Sequence, residues 1–467
     1  MRGMKKGSFS AALAWKLLER GGSKAVRLVV QIILARILAP EEFGLLAVIL
    51  VFISLGDVIV IGGLNSALIQ KEDARSIDYS TSFWLSMAFS FIAFLALFLL
   101  AYPIASFYQE PALVGPLLVL SLQFFPLAFN SIQVAKTTRL LNMGPVFAGS
   151  FLSEIIAGGI AIWMAYVGFG LWSLVIQQLL ASLVACIVTA VFVKWRPALQ
   201  FSRESAKALY SFGWKVMGTE LLNTGASSLY SLIVGKAYSA TDLGYYTQGQ
   251  RYPSAVCEVV TGALAPVMLA DFSSRNAESI ERLRTALRRA NRVTAMVIIP
   301  IGTLLFVYAE PLVQFFLTDK WLPCVTILQL FCAASVMKAL CLVERQGLLA
   351  AGMSGIPMRI AVLKFLCAMM LLVCVCYLGG DVDFAALAWL VAGMIEQCAT
   401  AACCRRYLSY SLAKQAVDLF FPLAISLVCG WFAVSVLQVY FPSGLACILF
   451  IVTYCAGMRF TEFYRVR

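Results

Sequence analysis

Residues 79–102 read YSTSFWLSMAFSFIAFLALFLLAY, a stretch without a single charged side chain. A helix needs about 20 predominantly apolar residues to cross the hydrocarbon core of a bilayer. Similar stretches recur along the whole 467-residue chain, in which 61% of the residues are hydrophobic and 13% are charged. Soluble domains carry about 25% charged residues. The sequence therefore predicts an all-α polytopic membrane protein.

The apolar stretches and the breaks between them predict about fourteen transmembrane helices. They lie near residues 12–38, 43–69, 79–102, 111–135, 145–166, 169–193, 208–238, 243–270, 290–309, 322–344, 357–378, 384–404, 415–437 and 443–458. Lysine and arginine accumulate in cytoplasmic loops, which gives an independent check on the count. Most of the 36 basic residues fall in alternate loops and at the two ends, whereas the opposite loops hold only Arg36, Lys236 and Lys320. Both termini are expected in the cytoplasm, and the membrane explains the net charge of +12 without nucleic acid.

An internal repeat becomes visible when the sequence is shifted by 200 residues. The shift matches Ile33, Gly44, Ser54, Val60, Gly62 and Leu64 with Ile233, Gly244, Ser254, Val260, Gly262 and Leu264. Both copies start from the same side of the membrane, so the repeat is parallel, with its axis along the membrane normal. We expect two six-helix lobes, residues 1–200 and 201–412, related by a pseudo-twofold axis around a central cavity. Residues 413–467 then form two additional transmembrane helices.

The first predicted span carries an unusual basic stripe. Lys16, Arg20, Lys24, Arg27 and Gln31 fall within an arc of about 80° on a helix. A charge at mid-bilayer costs about 3 kcal/mol even on lenient scales, so the stripe is expected to face water, protein or ligand. Lys16 and Arg20 have the alternative of reaching the cytoplasmic interface. The two deeper cations predict a site for an anionic substrate such as a phosphate or diphosphate.

The seventh and eighth predicted spans are polar rather than basic. Their candidate substrate-binding residues are Lys215, Asn223, Ser227, Tyr245 and Arg251, since aromatic and amide side chains suit sugar rings. Hydrogen bonding between helices and interfacial anchoring are the alternative roles for such residues. The intramembrane acids Asp57, Glu220 and Glu258 are candidates for ion coupling. Each acid, like Glu154 and Glu396, has the alternative of a structural bridge to a cation, which we favour.

Most enzyme classes are disfavoured by composition. The chain has no histidine, and its 14 cysteines lack the spacing of zinc ligands. Gly21–Lys24 lacks the spacer of a phosphate-binding loop, and the Asp381-Val382-Asp383 triplet falls in a short outer loop. No cofactor and no metal are expected. The basic segment 273–292 predicts an amphipathic helix on anionic lipid headgroups.

Two segments resemble a known family. The run ILARILAPEEFGLLA at residues 33–47 and GGLNSALIQ at residues 62–70 are similar to polysaccharide transport proteins, the Wzx-type lipid-linked oligosaccharide flippases. These belong with the MATE exporters and lipid II flippases in one superfamily, known as MOP. The resemblance implies two lobes in a V that open alternately to either side.

The same resemblance implies the cargo and its setting. The cargo would be an undecaprenyl-diphosphate-linked oligosaccharide, moved to the outer leaflet of the bacterial inner membrane for capsule, exopolysaccharide or lipopolysaccharide O-antigen synthesis. A glycan polymerase or glycosyltransferase is an expected partner. Lipid II flipping and MATE-like ion-coupled export remain alternatives. Acids should dominate the cavity of a cation exporter, and a membrane-bound glycan polymerase should have a large outer loop.

Overall fold

In a computed structural model, which describes residues 22–71, 73–140, 142–353, 355–432 and 453–454, the chain is built from helices. It divides into two compact units, Met1–Gly244 and Tyr245–Arg467. The helices of the first unit are α1 (Lys24–Ile37), α2 (Pro40–Ile61), α3 (Leu64–Gln70), α4 (Ser76–Tyr108), α5 (Val114–Ser121), α6 (Phe124–Arg139), α7 (Gly144–Val167), α8 (Leu171–Val193) and α9 (Arg203–Ala237). The second unit contains most of α10 (Ala240–Glu278), then α11 (Ile280–Val307), α12 (Ala309–Phe316), α13 (Cys324–Ala350), α14 (Gly355–Tyr377), α15 (Val382–Leu408) and α16 (Leu412–Phe432).

Ten stretches of the described chain are long and apolar enough to cross a membrane. They are Pro40–Gln70, Ser76–Tyr108, Pro111–Arg139, Gly144–Val167, Leu171–Val193, Ile280–Val307, Cys324–Ala350, Gly355–Tyr377, Val382–Leu408 and Leu412–Gly430. Each coincides with one predicted span, which confirms the all-α membrane class. The other four predictions fall on α1, α9, α10 and residues 443–458, so the count of fourteen stays a prediction. Helices α9 and α10 are long enough, at 35 and 39 residues, but polar side chains interrupt their apolar surface.

Helix α9 packs against α2, α3 and α4 within the first unit. The turn between α2 and α3 consists of Gly62 and Gly63, whose φ angles of 55° and 66° favour glycine. A Cβ atom on Gly63 would overlap the backbone of Gly213 on α9. The pair of glycines thus permits both the turn and the close approach of α9. The predicted lobe boundary at residue 200 stays a prediction, while the compact units divide after Gly244.

The two helix junctions that the 200-residue shift matches have the same local structure. Helix α1 ends at Ile37 and α2 begins at Pro40, while α9 ends at Ala237 and α10 begins at Ala240. The backbone N–H of Ala39 donates to the Glu42 carboxylate at 2.7 Å. Two hundred residues later, the N–H of Ser239 donates to the Asp242 carboxylate at 3.2 Å. Both junctions therefore use an acidic side chain in the first turn to satisfy a backbone donor that the helix leaves unpaired.

The matched glycines of the repeat touch each other. A Cβ atom on Gly44 would overlap the carbonyl group of Ala240, and one on Gly244 would overlap the carbonyl group of Pro40. The contact is reciprocal, because residue 44 meets residue 240 while residue 244 meets residue 40. Reciprocal contacts of this kind are characteristic of a twofold relation. The first turns of α2 and α10 are thus related by a local pseudo-twofold axis and pack backbone to backbone.

The prediction of a surface helix over residues 273–292 is wrong. Helix α10 ends at Glu278, and the Ser279 hydroxyl accepts a hydrogen bond from the backbone of Arg282 at 3.2 Å, capping α11. Helix α11 then continues without a break to Val307. Two of its basic residues are held by protein, because Arg288 and Arg292 bind the fully buried carboxylate of Asp418 on α16 at 2.7 and 2.6 Å. For these two arginines, a buried acid takes the place of the anionic headgroups that the sequence pattern predicts.

Replacing Gly244 by leucine is expected to destabilise the protein, since the new side chain has no room beside the Pro40 carbonyl. Overpacking of this kind costs about 1–3 kcal/mol. Gly159→Ala is the matched control, because a Cβ atom there meets nothing within 4 Å. Thermal unfolding in detergent should show a lower midpoint for Gly244→Leu and an unchanged one for the control. Equal midpoints for the two variants would contradict the close crossing.

Asp418→Asn is expected to loosen α16 from α11, since it leaves two arginines without their shared carboxylate. The arginine side chains are about one third exposed, at 34% and 31%. Because water screens them, we expect the free energy of unfolding to fall by about 2 kcal/mol, less than for a fully buried pair. Asp271→Asn removes an exposed carboxylate from an (i, i+4) pair with Arg275 and should change nothing. The same unfolding measurement compares them, and a stable Asp418→Asn variant would rule out the anchoring role.

Candidate functional site

Helix α1 packs closely against α7 at a glycine of α7. Val30 of α1 is buried, and a Cβ atom on Gly158 of α7 would overlap its side chain. The missing side chain lets the two helices approach closely, as small residues do between membrane helices. This close contact fixes which side chains of α1 meet α7 one turn away.

Arg27 and Glu154 form an ion pair beside that contact. The Nε and Nη2 atoms of Arg27 both lie 2.8 Å from Oε1 of Glu154. The Glu154 side chain is 9% exposed, whereas that of Arg27 is 55% exposed. A guanidinium group has five N–H donors, and this carboxylate does not exhaust them. The acid therefore holds Arg27 from the protein side and leaves the rest of the cation accessible.

The remaining residues of the predicted basic stripe differ in their environment. Lys24 is exposed and lies one turn before Arg27, at the start of α1. Gln31 is buried, and its amide donates to Oε1 of Gln177 on α8 at 3.0 Å. Lys16 and Arg20 lie outside the described residues. The structure thus brings Lys24 and Arg27 to an accessible face, while Gln31 belongs to the packing of α1 against the bundle.

Helix α9 contributes the polar residues predicted for the seventh span. Lys215 and Glu220 are exposed, and the helix continues through Asn223 and Ser227, whose side chains lie outside the described part. An exposed cation and an exposed acid on so long a helix indicate contact with water or ligand rather than lipid.

The candidates on α10 belong to the second unit. Tyr245 is half-buried and meets the ring of Trp321 edge to face, with centroids 6.0 Å apart. Arg251 is half-buried and Glu258 is exposed. The aromatic pair gives Tyr245 a structural role on one side of its ring. The predicted site residues are therefore distributed over both units.

Two intramembrane acids have partners that the sequence left open. The amide of Gln123 donates to Asp57 at 3.4 Å, and Asp57 is half-buried on α2. Glu396 on α15 binds Lys364 of α14 at 2.6 Å, one of the structural bridges that we expected. The partner of Glu154 was missed, because Arg27 is 127 residues away along the chain. An isolated acid in an apolar helix indicates that a cation or a hydrogen-bond donor must lie nearby, but the local sequence does not identify that partner.

Comparisons with known proteins agree with this architecture. A family model described as "Polysaccharide biosynthesis protein" matches residues 33–326. The chain is 28% identical to the succinoglycan biosynthesis transport protein ExoT of Rhizobium meliloti (strain 1021), over 66% of this chain and 62% of ExoT. It is 24% identical to the lipopolysaccharide biosynthesis protein WzxC of Escherichia coli (strain K12), over 67% of this chain and 64% of WzxC. These matches span less than two thirds of either relative.

Two solved structures share the fold at low identity. The lipid II flippase MurJ in an inward closed conformation superposes with a TM-score of 0.77 at 13% identity, covering 98% of this chain and 100% of MurJ. An inward-facing multidrug resistance MATE family transporter of the MOP superfamily gives 0.68 at 14% identity, covering 87% of this chain and 98% of the transporter. The family match extends over more than half of the sequence. The protein therefore belongs to the polysaccharide biosynthesis protein family.

Proposed function

We propose that the protein is a flippase for an undecaprenyl-diphosphate-linked oligosaccharide. It moves this cargo from the cytoplasmic to the outer leaflet of the bacterial inner membrane, by alternating access, for capsule, exopolysaccharide or O-antigen synthesis. The observation that carries the proposal is the Arg27–Glu154 pair, in which a buried acid presents a half-exposed guanidinium on the first predicted span. Family membership supports the same class of cargo.

The chemistry of Arg27 suits a diphosphate better than a neutral sugar. Guanidinium groups bind phosphate oxygens through several N–H donors at once, and charge-assisted bonds of this type are the stronger ones. Lys24, one turn away, adds a second positive charge, and Lys16 and Arg20 would extend the stripe toward the cytoplasm. Glu154 neutralises Arg27 while no cargo is bound. An arriving diphosphate then competes with the Glu154 carboxylate for the guanidinium, and the ion pair re-forms when the cargo leaves.

The glycan end of the cargo needs partners of another kind. The proposed sugar contacts are Lys215, Asn223 and Ser227 of α9 together with Tyr245 and Arg251 of α10. Hydroxyl and amide groups match sugar hydroxyls, while an aromatic ring matches the apolar face of a pyranose. A glycan polymerase or glycosyltransferase on the same pathway is the proposed partner, and both termini are proposed to lie in the cytoplasm.

Two other transport functions remain as competing candidates. The likeness to MurJ in fold favours lipid II, whose diphosphate would use the same cations. The exposed acids Glu220 and Glu258 favour a cationic substrate of the MATE kind. The accessible Lys24 and Arg27 oppose a cationic substrate, because like charges would face each other in a site of low dielectric constant. We therefore place the oligosaccharide flippase first.

Arg27→Gln is expected to weaken cargo binding about tenfold or more, since one lost charge-assisted contact is worth about 1.5–3 kcal/mol. Arg27→Lys should recover only part of this loss, because an ammonium group cannot bind two phosphate oxygens in a fork. The control is Arg203→Gln, an exposed arginine at the start of α9. Flipping of a fluorescent undecaprenyl-diphosphate glycan in proteoliposomes measures all three. Wild-type rates in Arg27→Gln would remove Arg27 from the site.

Glu154→Gln is expected to act in the opposite direction on binding. Without the competing carboxylate, Arg27 should bind a short-chain polyprenyl diphosphate several-fold more tightly, and release should slow. The control is Glu204→Gln, the same substitution at an exposed position at the start of α9. Equilibrium binding of the probe to the detergent-solubilised protein gives the affinity. Weaker binding in Glu154→Gln would mean that the acid orients Arg27 rather than competing with the cargo.

A further inference from the structure

A carboxyl group without an ion pair lies inside the second unit. Glu344 on α13 is 0% exposed, and among the described residues no cation pairs with it. The side chain of Gln397 on α15 approaches the carboxyl group, but neither carboxyl oxygen completes a hydrogen bond. Glu344 lies six residues before the end of α13 at Ala350, which is about 9 Å along the helix axis. The group is therefore deep in the protein yet close to one end of the bundle.

The surroundings of Glu344 are apolar and closely packed. Val343 and Leu348 of the same helix are fully buried in a cluster with Leu283 and Leu287 of α11 and Leu408 of α15. A carboxylate that loses water without gaining a cation is strongly disfavoured in such a place. The protonated acid is the form that this packing accommodates.

Three cations on the helices next to α13 are engaged by other acids. Arg288 and Arg292 of α11 bind Asp418, and Lys364 of α14 binds Glu396. Arg345 is 40% exposed and lies 4.0 Å from Glu396. The titratable groups that interact electrostatically with Glu344 are Cys341, Cys404 and Tyr410. The charged groups of this region with described ion pairs are Arg288, Arg292, Arg345, Lys364, Glu396 and Asp418. None of the cations among these is paired with Glu344, so protonation is the available way to neutralise it.

Polar side chains near this acid form a candidate route toward the surface. The Tyr410 hydroxyl donates to Asp418 at 3.1 Å, and Asn291 of α11 lies beside the same phenol. Burial raises the pKa of Tyr410, the side chain of Asn291 lowers it, and the carboxylate of Asp418 raises it further. Asp418 in turn binds two arginines that are about one third exposed. Tyr410 lies in the same buried cluster as Val343, the neighbour of Glu344 in the chain. Asp418 thus connects this cluster to two partly exposed arginines, at the end that the basic loops predict to be cytoplasmic.

We propose that Glu344 is a proton-binding site that couples cargo movement to a proton moving the opposite way. A sodium ion requires several oxygen ligands around it, whereas Glu344 has one approaching amide, and no cluster of three acids or thiols occurs in the described residues. The acids that the sequence singled out are less suited, since Glu220 and Glu258 are exposed and Asp57 has Gln123 as a donor. The coupling role rests on the proposed function, while the proton site itself does not.

The proton site can be tested without any cargo. Infrared difference spectroscopy of the protein in nanodiscs detects the carbonyl stretch of a protonated buried carboxyl group. Wild-type protein should show this band at neutral pH and lose it on alkaline titration, and Glu344→Gln should lack it. Glu281→Gln, whose side chain is 79% exposed, is the matched control and should keep the band. An identical band in Glu344→Gln would overturn the assignment.

The coupling is tested by flipping under a pH gradient. With one proton exchanged per cycle, a gradient of about one pH unit should raise cargo accumulation about tenfold. Glu344→Gln should lose this response, and Glu281→Gln should retain it. A full response in Glu344→Gln, or a response to a sodium gradient in place of protons, would overturn the coupling. If Glu344→Gln does not fold, Tyr410→Phe is the alternative test. Removing the Tyr410 hydroxyl should slow proton exchange. An unchanged rate of proton exchange would contradict the route.

The two hypotheses fail in different ways. If wild-type protein moves no glycan lipid while the infrared band titrates and depends on Glu344, the proposed cargo is wrong and the proton site stands. If the glycan lipid is flipped but neither the band nor the gradient response depends on Glu344, the cargo stands and the coupling site is wrong.

Discussion

The cost of a charge in a medium of low dielectric constant governs the interior of this protein. Each buried acid must have a cation, donate or accept within a network, or be neutral. Asp418 is satisfied by two arginines, and Glu396 by Lys364. Glu154 is satisfied by Arg27, but that arginine remains half-exposed. The functional hypotheses arise where this balance is incomplete, at the accessible side of Arg27 and at the unpaired Glu344.

The apolar class of the protein and ten of its spans follow from local sequence, because a run of apolar residues has the same consequence wherever it occurs. The segment 273–292 shows the limit of this reasoning. Its amphipathic pattern requires an anionic neighbour, and lipid headgroups or a buried aspartate both satisfy that need. Asp418 lies 126 and 130 residues from its two arginines, and nothing in the local pattern selects it. The candidate site shows the same limit, since Arg27 and Glu154 were each noted from the sequence, whereas their pairing was found only from the fold.

The internal repeat connects sequence and structure more directly. Matching glycines at positions 44 and 244 indicated equivalent roles, and equivalent acids at positions 42 and 242 satisfy equivalent backbone donors. The sequence could not predict that the two glycines touch, because a repeat specifies similar segments and not their contact. Their reciprocal packing leaves no room for a side chain at either position, which gives a physical reason for glycine in both copies.

An accessible guanidinium in the first predicted span is proposed to recognise the diphosphate of a glycan lipid. The most direct measurement compares two fluorescent glycan lipids in proteoliposomes that differ only in the linker between the glycan and the polyprenyl chain. One carries the diphosphate and the other a neutral ether of similar length. We predict rapid flipping of the diphosphate lipid, inhibition of that flipping by a soluble short-chain diphosphate, and little movement of the ether lipid. Equal flipping of both lipids, insensitive to the soluble diphosphate, would contradict it.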